Sequence, residues 1–249
     1  MNREPFIVEG VNVQTWSLED ASSRICDELG RGRSFSVFTI NLDHVTKLRS
    51  SARFRAAYDR ARIVLADGFP IVLAGRLQGR SLARTPGSDL IAPLCAEASR
   101  RGIPIVLFGS TFDTLSLAAR KLKAQHPGLV VSGVYAPEHG FDPYSDTANE
   151  GIAFIKDAGA SLCFLALGAP KQEIFADRCL SETDGVSFVC IGAGLDFLSG
   201  RQTRAPKLMQ SIGCEWLWRM ASNPRRLARR YLDCMLVFPG VVLSGLTHR

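Results

Sequence analysis

Short runs of β-branched and apolar residues alternate along this chain with longer stretches whose apolar positions recur every three or four residues. The first pattern marks strands, the second helices, and their alternation is the signature of βαβ units around a parallel sheet. Strands are predicted at Ser36–Ile40, Ile63–Leu65, Ile105–Phe108, Leu129–Val134, Leu162–Leu167 and Val186–Ile191. Helices are predicted at Leu18–Leu29, N-capped by Ser17, and at Gly87–Arg101, Thr111–Gln125, Asn149–Ala158 and Gln172–Cys179. The expected fold is α/β, a doubly wound and mostly parallel sheet. The pattern changes near residue 200. From Arg201 to Arg230 the chain carries Arg201, Arg204, Lys207, Arg219, Arg225, Arg226, Arg229 and Arg230 against the single acid Glu215. We therefore expect a catalytic body over residues 1–198 and a basic, helical C-terminal appendage over residues 199–249.

Ligands of doubly wound sheets bind beyond the carboxyl ends of the strands, so the residues just past each strand are the ones to search for chemistry. Asn41-Leu42-Asp43-His44, Ala66-Asp67-Gly68, Gly109-Ser110, Gly168-Ala169-Pro170-Lys171-Gln172-Glu173 and Gly192-Ala193-Gly194-Leu195-Asp196 occupy these places. Small and polar residues thus collect on one rim, which predicts a pocket there. Gly109-Ser110 opens a helix whose free N–H groups and dipole suit a diphosphate, although many such turns are purely structural. In the Gly168–Glu173 segment Pro170 suits a helix start and Glu173 suits its dipole. Lys171 can neutralise phosphate, and Gln172 can read hydroxyls with its donor and acceptor. Asp67 reads equally well as a turn residue and as a general base at a strand mouth.

Composition narrows the classes. With 46% hydrophobic and 22% charged residues, the 249-residue chain builds an ordinary core without a metal or disulfide staple. Its seven cysteines are scattered with no C-x-x-C, several inside apolar runs, which fits a reduced, cytosolic setting. No secretory signal and no span of about 20 apolar residues is read. Met235–Leu246, the longest candidate, is interrupted by Pro239, Gly240 and Gly245. The net charge of +6 favours acidic partners without choosing among phosphates, nucleic acid and anionic lipid. No G-x-G-x-x-G succeeds the first predicted strand and no Walker A lysine motif is present, so no cofactor is expected. No Asp-x-Asp pair or histidine cluster offers a metal site. Charge on a departing nucleotide would fall to Arg84, Lys171, Arg201, Arg204 and backbone N–H groups.

Taken in order, Thr39-Ile40-Asn41, Ala66-Asp67-Gly68, Arg84-Thr85-Pro86-Gly87-Ser88-Asp89-Leu90, Phe108-Gly109-Ser110, Leu167–Glu173, Gly192–Phe197, Arg204-Ala205-Pro206 and Glu215-Trp216-Leu217-Trp218-Arg219 resemble the WecG/TagA/CpsF group, glycosyltransferase family 26, over roughly residues 35 to 232. The resemblance implies a Rossmann-like body and an inverting, metal-independent transferase. Its donor would be a UDP-sugar and its acceptor a polyprenyl-diphosphate-linked sugar, in the assembly of exopolysaccharide, capsule or teichoic acid. By the same resemblance Asp67 is the catalytic base, Thr39 and Asn41 line the acceptor side, and Arg84 and Gln172 orient the substrates. Arg201 and Arg204 are the appendage candidates to meet the diphosphate, and the resemblance does not choose between them. The sugar, a hexose or an N-acetylhexosamine, is not chosen by any residue.

The basic appendage has two readings, a solvated face packed on the body or contact with an anionic membrane surface. The implied membrane-embedded acceptor favours the second and places the protein on the inner face of the plasma membrane. A nucleic-acid-binding module is the alternative reading of the tail. It leaves the rim residues unexplained, and nucleic acid is not expected as a partner. The sequence leaves the oligomeric state open, a homo-oligomer included.

Overall fold

In the predicted strands successive side chains are apolar on both sides of the pleat, so each strand needs cover on two faces. The computed structural model, which describes residues 6–206, 208–209, 215–222 and 224–247, supplies it. The chain runs β1 (Phe6–Val8), β2 (Val11–Val13), α1 (Leu18–Leu29), β3 (Ser36–Ile40), α2 (Leu42–Ser50), α3 (Ala52–Arg60), β4 (Ile63–Ala66), α4 (Phe69–Leu77), α5 (Gly87–Arg101) and β5 (Ile105–Gly109). It continues through α6 (Phe112–Gln125), β6 (Val131–Tyr135), α7 (Asp146–Asp157), β7 (Leu162–Ala166), α8 (Lys171–Glu182), β8 (Ser187–Cys190) and α9 (Gly194–Ser199). Beyond the sheet lie α10 (Glu215–Ser222) and α11 (Pro224–Thr247).

Strands β3 to β8 form one six-stranded sheet in the order β4-β3-β8-β7-β5-β6, every neighbouring pair parallel. Phe38, Ile40, Phe108, Leu165 and Phe188 pack to one face with α2, α3, α4, α7 and α8. Val37, Leu65, Leu107, Phe164 and Val189 pack to the other with α1, α5 and α6. This is the expected doubly wound α/β architecture with a Rossmann-like arrangement. β3 leads into α2 on the first face, while its neighbour β8 leads into α9 on the second. Adjacent strands whose helices part to opposite faces open a crevice at their carboxyl ends. The site lies there.

The predicted elements are present with shifted ends. Thr111 caps α6 from outside, its side chain accepting from the Thr114 N–H, and Ser145 caps α7 in the same way from the Ala148 N–H. β6 starts at Val131, because Leu129 closes a turn on His126 and Val130 only accepts from the Ile105 N–H. The antiparallel hairpin β1–β2 was not foreseen: three-residue strands are too short for a period, and its Glu9-Gly10 turn has both residues at positive φ. Nor were α2 and α3, nine residues each and hinged at Ser51, which ends the first and caps the second. α4 and α9 also went unread.

After Gly200 the chain leaves the sheet and returns to it. α11 packs along α2 and α4, burying Leu227, Cys234, Val237 and Val241. Its outward positions Leu232, Met235, Leu236 and Leu243 are also apolar and are exposed, Leu236 by 80%. Among the described residues no helix is long and apolar enough to cross a membrane. The side chains of Arg219, Arg226, Arg229 and Arg230, which carried the basic-helix expectation, lie outside the described residues, as does Lys207.

Candidate functional site

At the carboxyl edge of the sheet a cavity of about 1000 Å³ is walled by the strand mouths that border the crevice. β3 contributes Thr39 and Asn41, and the turn after β4 contributes Asp67. Leu167, Gly168 and Ala169 come after β7, and Ile191, Gly192 and Ala193 after β8. Pro86, Gly87 and Ser88 begin α5 on the same wall. Glycine lets these turns converge. A Cβ on Gly87 would stand 2.4 Å from the Cys190 carbonyl oxygen, and one on Gly194 would stand 3.2 Å from Ser88 Cα. The first turns of α5 and α8 therefore bring backbone N–H groups, and the positive ends of their dipoles, to the cavity. From the appendage Glu215, Trp218, Leu227 and Tyr231 complete the wall.

Asp67 stands half-buried immediately past β4, its N–H donating to the Ile40 carbonyl at 2.8 Å. Asn41 holds its carboxylate. The Asn41 Oδ1 caps α2 by accepting from the His44 N–H at 3.1 Å, which leaves the Nδ2 to donate to Asp67 Oδ2 at 3.2 Å. One residue thus orients the candidate base and starts the neighbouring helix.

Gln172 and Glu173 form a brace beneath the wall. The Gln172 Oε1 accepts from the Gly168 N–H at 3.3 Å and from the Gly192 N–H at 3.1 Å, tying the β7 and β8 turns together. Its Nε2 donates to Glu173 Oε1 at 2.8 Å. Glu173 is fully buried, and its Oε2 has no partner among the described residues. Burial raises this carboxyl from 4.5 to about 7, outweighing the Gln172 N–H that favours its charge.

Of the residues expected from the sequence, the structure brings Thr39, Asn41, Asp67, Gly168, Gln172, Arg201 and Arg204 to one cavity. Others it places off the wall, for identifiable reasons. Gly109 is pressed on β7, where a Cβ would meet the Ala166 carbonyl at 2.5 Å. Ser110 turns its hydroxyl to Asp196 Oδ1 at 2.7 Å, and it is Asp196 that reaches the wall. Lys171 opens α8 but does not line the cavity, and Glu173 lies behind Gln172. Arg84 reaches it indirectly, pairing at 3.5 Å with the wall residue Glu215 and so tying α10 to the body.

The appendage arginines face inward. Arg201 donates to Thr111 Oγ1 at 2.9 Å at the start of α6. Arg204 pairs with Asp89 at 2.5 Å, and its Nε is buried without a partner among the described residues. Burial works against its charge, but Asp89, Glu215 and Asp67 together outweigh that and raise its pKa. Sequence reasoning placed His44 and Asp196 on the rim without giving either a role, and it missed Lys47, Trp218 and Tyr231 on the wall. His44 and Lys47 stand three apart after Asn41, a spacing legible only once this segment is seen as a helix. Among the described residues no group of three His, Cys, Asp or Glu side chains converges as a metal site.

Compared with protein families, residues 6–249 match the model described as the glycosyl transferase WecG/TagA/CpsF family.

Proposed function

Because the chain belongs to the WecG/TagA/CpsF family of glycosyltransferases, we propose that it moves a hexose or N-acetylhexosamine, with inversion, from a UDP-sugar to a polyprenyl-diphosphate-linked sugar in cell-surface polysaccharide assembly. The observation that carries this reading is the Asn41-held carboxylate of Asp67 in the cavity that the α5 and α8 N-termini share. Asp67 takes the proton of the acceptor hydroxyl as that oxygen attacks the anomeric carbon. The bond to UDP breaks on the opposite side, which inverts the configuration. Charge gathering on UDP is met by the helix N-termini and by Arg201 and Arg204, once these exchange Thr111 and Asp89 for phosphate. No divalent cation enters this scheme.

The exposed apolar ridge of α11 supports a peripheral seat on the inner membrane face, where the acceptor resides. The nucleic-acid reading of the tail gains no such support, since Arg201 and Arg204 turn toward the body.

A panel of UDP-sugars with a short-chain prenyl-diphosphate sugar acceptor tests the reaction. A positioned base contributes on the order of 10²- to 10⁴-fold, so Asp67→Asn is expected to lose that much transfer while UDP affinity is retained. Chelator is expected to leave wild-type turnover unchanged. Normal turnover by the Asn variant, or activity abolished by chelator, would overturn the mechanism.

A further inference from the structure

The two turns that follow β7 and β8 on the cavity wall are held from behind by one side chain. Gly168 sits at φ 74° in the first and Gly192 at φ 55° in the second, left-handed backbone that glycine adopts at no steric cost. The same freedom leaves each turn needing an outside tie. Gln172 is that tie, its buried Oε1 accepting from the Gly168 N–H at 3.3 Å and the Gly192 N–H at 3.1 Å. The effect extends past the turns themselves. The Gly168 carbonyl accepts from the Gln172 N–H at 3.1 Å, in the first turn of α8. A Cβ on Gly87 would stand 3.1 Å from Ile191 Cα, so the start of α5 rests on the chain entering the Gly192 turn. One amide oxygen therefore sets the place of both helix N-termini at the cavity.

Glu173 holds that amide. Gln172 Nε2 donates to Glu173 Oε1 at 2.8 Å, which keeps the nitrogen on the buried side and the oxygen on the two turns. The carboxyl is an expensive way to fill this position. It is fully buried, and its Oε2 has no partner among the described residues. An apolar side chain of similar length would avoid that desolvation, so packing does not explain an acid here. Its hydrogen bond to Gln172 does. Asp67 is anchored separately, by the Asn41 amide and the Ile40 carbonyl.

We propose that Glu173 is a positioning residue for the donor diphosphate, acting through Gln172 to keep the β7 and β8 turns, and with them the α8 and α5 N-termini, at the spacing the diphosphate requires. Glu173 touches no substrate itself. The proposal rests on the UDP-sugar reading given above and adds to it the residue that stands behind the phosphate site. It places the effect of Glu173 on nucleotide affinity, at one end of the cavity, and leaves the base at the other end in position.

The test separates positioning from a general contribution to the fold. UDP affinity is measured by calorimetry on wild type, Glu173→Met, Glu173→Gln, Gln172→Met and the double variant with Met at both positions. Amide hydrogen exchange at Gly168 and Gly192 is followed by NMR in the same proteins. Glu173→Met is expected to weaken UDP by about fivefold, the scale of one lost hydrogen bond, and to speed exchange at both glycines. Glu173→Gln keeps an acceptor for the Gln172 amide and is expected to stay within about twofold of wild type in affinity. Added to Gln172→Met, Glu173→Met is expected to change nothing further, because its route to the nucleotide is already gone. A general weakening of the fold would add its effect in either background. Losses that add in this cycle, unchanged UDP affinity in Glu173→Met, or a Gln variant as weak as the Met variant would overturn the positioning role and leave the transferase reading standing. Should Gln172→Met fail to fold, the exchange rates decide, and unaltered exchange at Gly168 and Gly192 in Glu173→Met overturns the role. Wild type that does not bind UDP would sink the donor reading together with it.

Discussion

Glu173 has its carboxyl fully buried, with one oxygen on the Gln172 amide and the other without a partner among the described residues. Its raised pKa makes a signed statement about stability. The group titrates near 4.5 when the chain is unfolded and at about 7 when folded. Between these values the folded protein binds the proton more tightly, so stability falls as pH rises. Integrating the two titrations from pH 5 to pH 8 gives a loss of roughly 2.5 kcal/mol from this one side chain. Glu173→Gln removes the titration and keeps an amide oxygen to accept from Gln172. Urea unfolding of wild type and variant at pH 5, 6, 7 and 8 measures it, because all other titrating groups cancel in the difference. The variant is expected to gain about 2.5 kcal/mol on wild type between the ends of that range. Parallel stability profiles for the two proteins would refute the assignment of a buried, neutral Glu173.

Two other perturbations come from packing. Gly87→Ala drives a methyl to 2.4 Å from the Cys190 carbonyl and 3.1 Å from Ile191 Cα, backbone atoms that cannot swing away. A loss of about 1–3 kcal/mol is expected in thermal unfolding, with weaker UDP binding as the α5 N-terminus is displaced. Leu236→Asp, on the outward face of α11, is expected to reduce flotation with anionic liposomes while turnover of a water-soluble acceptor stays within about twofold. Undiminished flotation would remove α11 from the membrane contact.

The sequence by itself determined the sheet and its rim. Strands buried on both faces are mostly apolar, and a chain that returns to the same edge must turn there on Gly, Asn and Asp, so Asn41, Asp67 and Gly168 could be read before any coordinates, and Thr39 through the family resemblance. Tertiary structure decided the rest. Whether Gln172 faces a ligand or braces two turns depends on the Gly168 and Gly192 N–H groups, which lie in the turns after different strands. Ser110 was equally ambiguous until Asp196, 86 residues away, took its hydroxyl. α2 and α3 escaped notice because charged, nine-residue helices draw their stability from what they pack against, not from a period of their own. With α2 unread, His44 and Lys47 had no common face, and the row they make with Asn41 exists only because a helix places every third residue on one side.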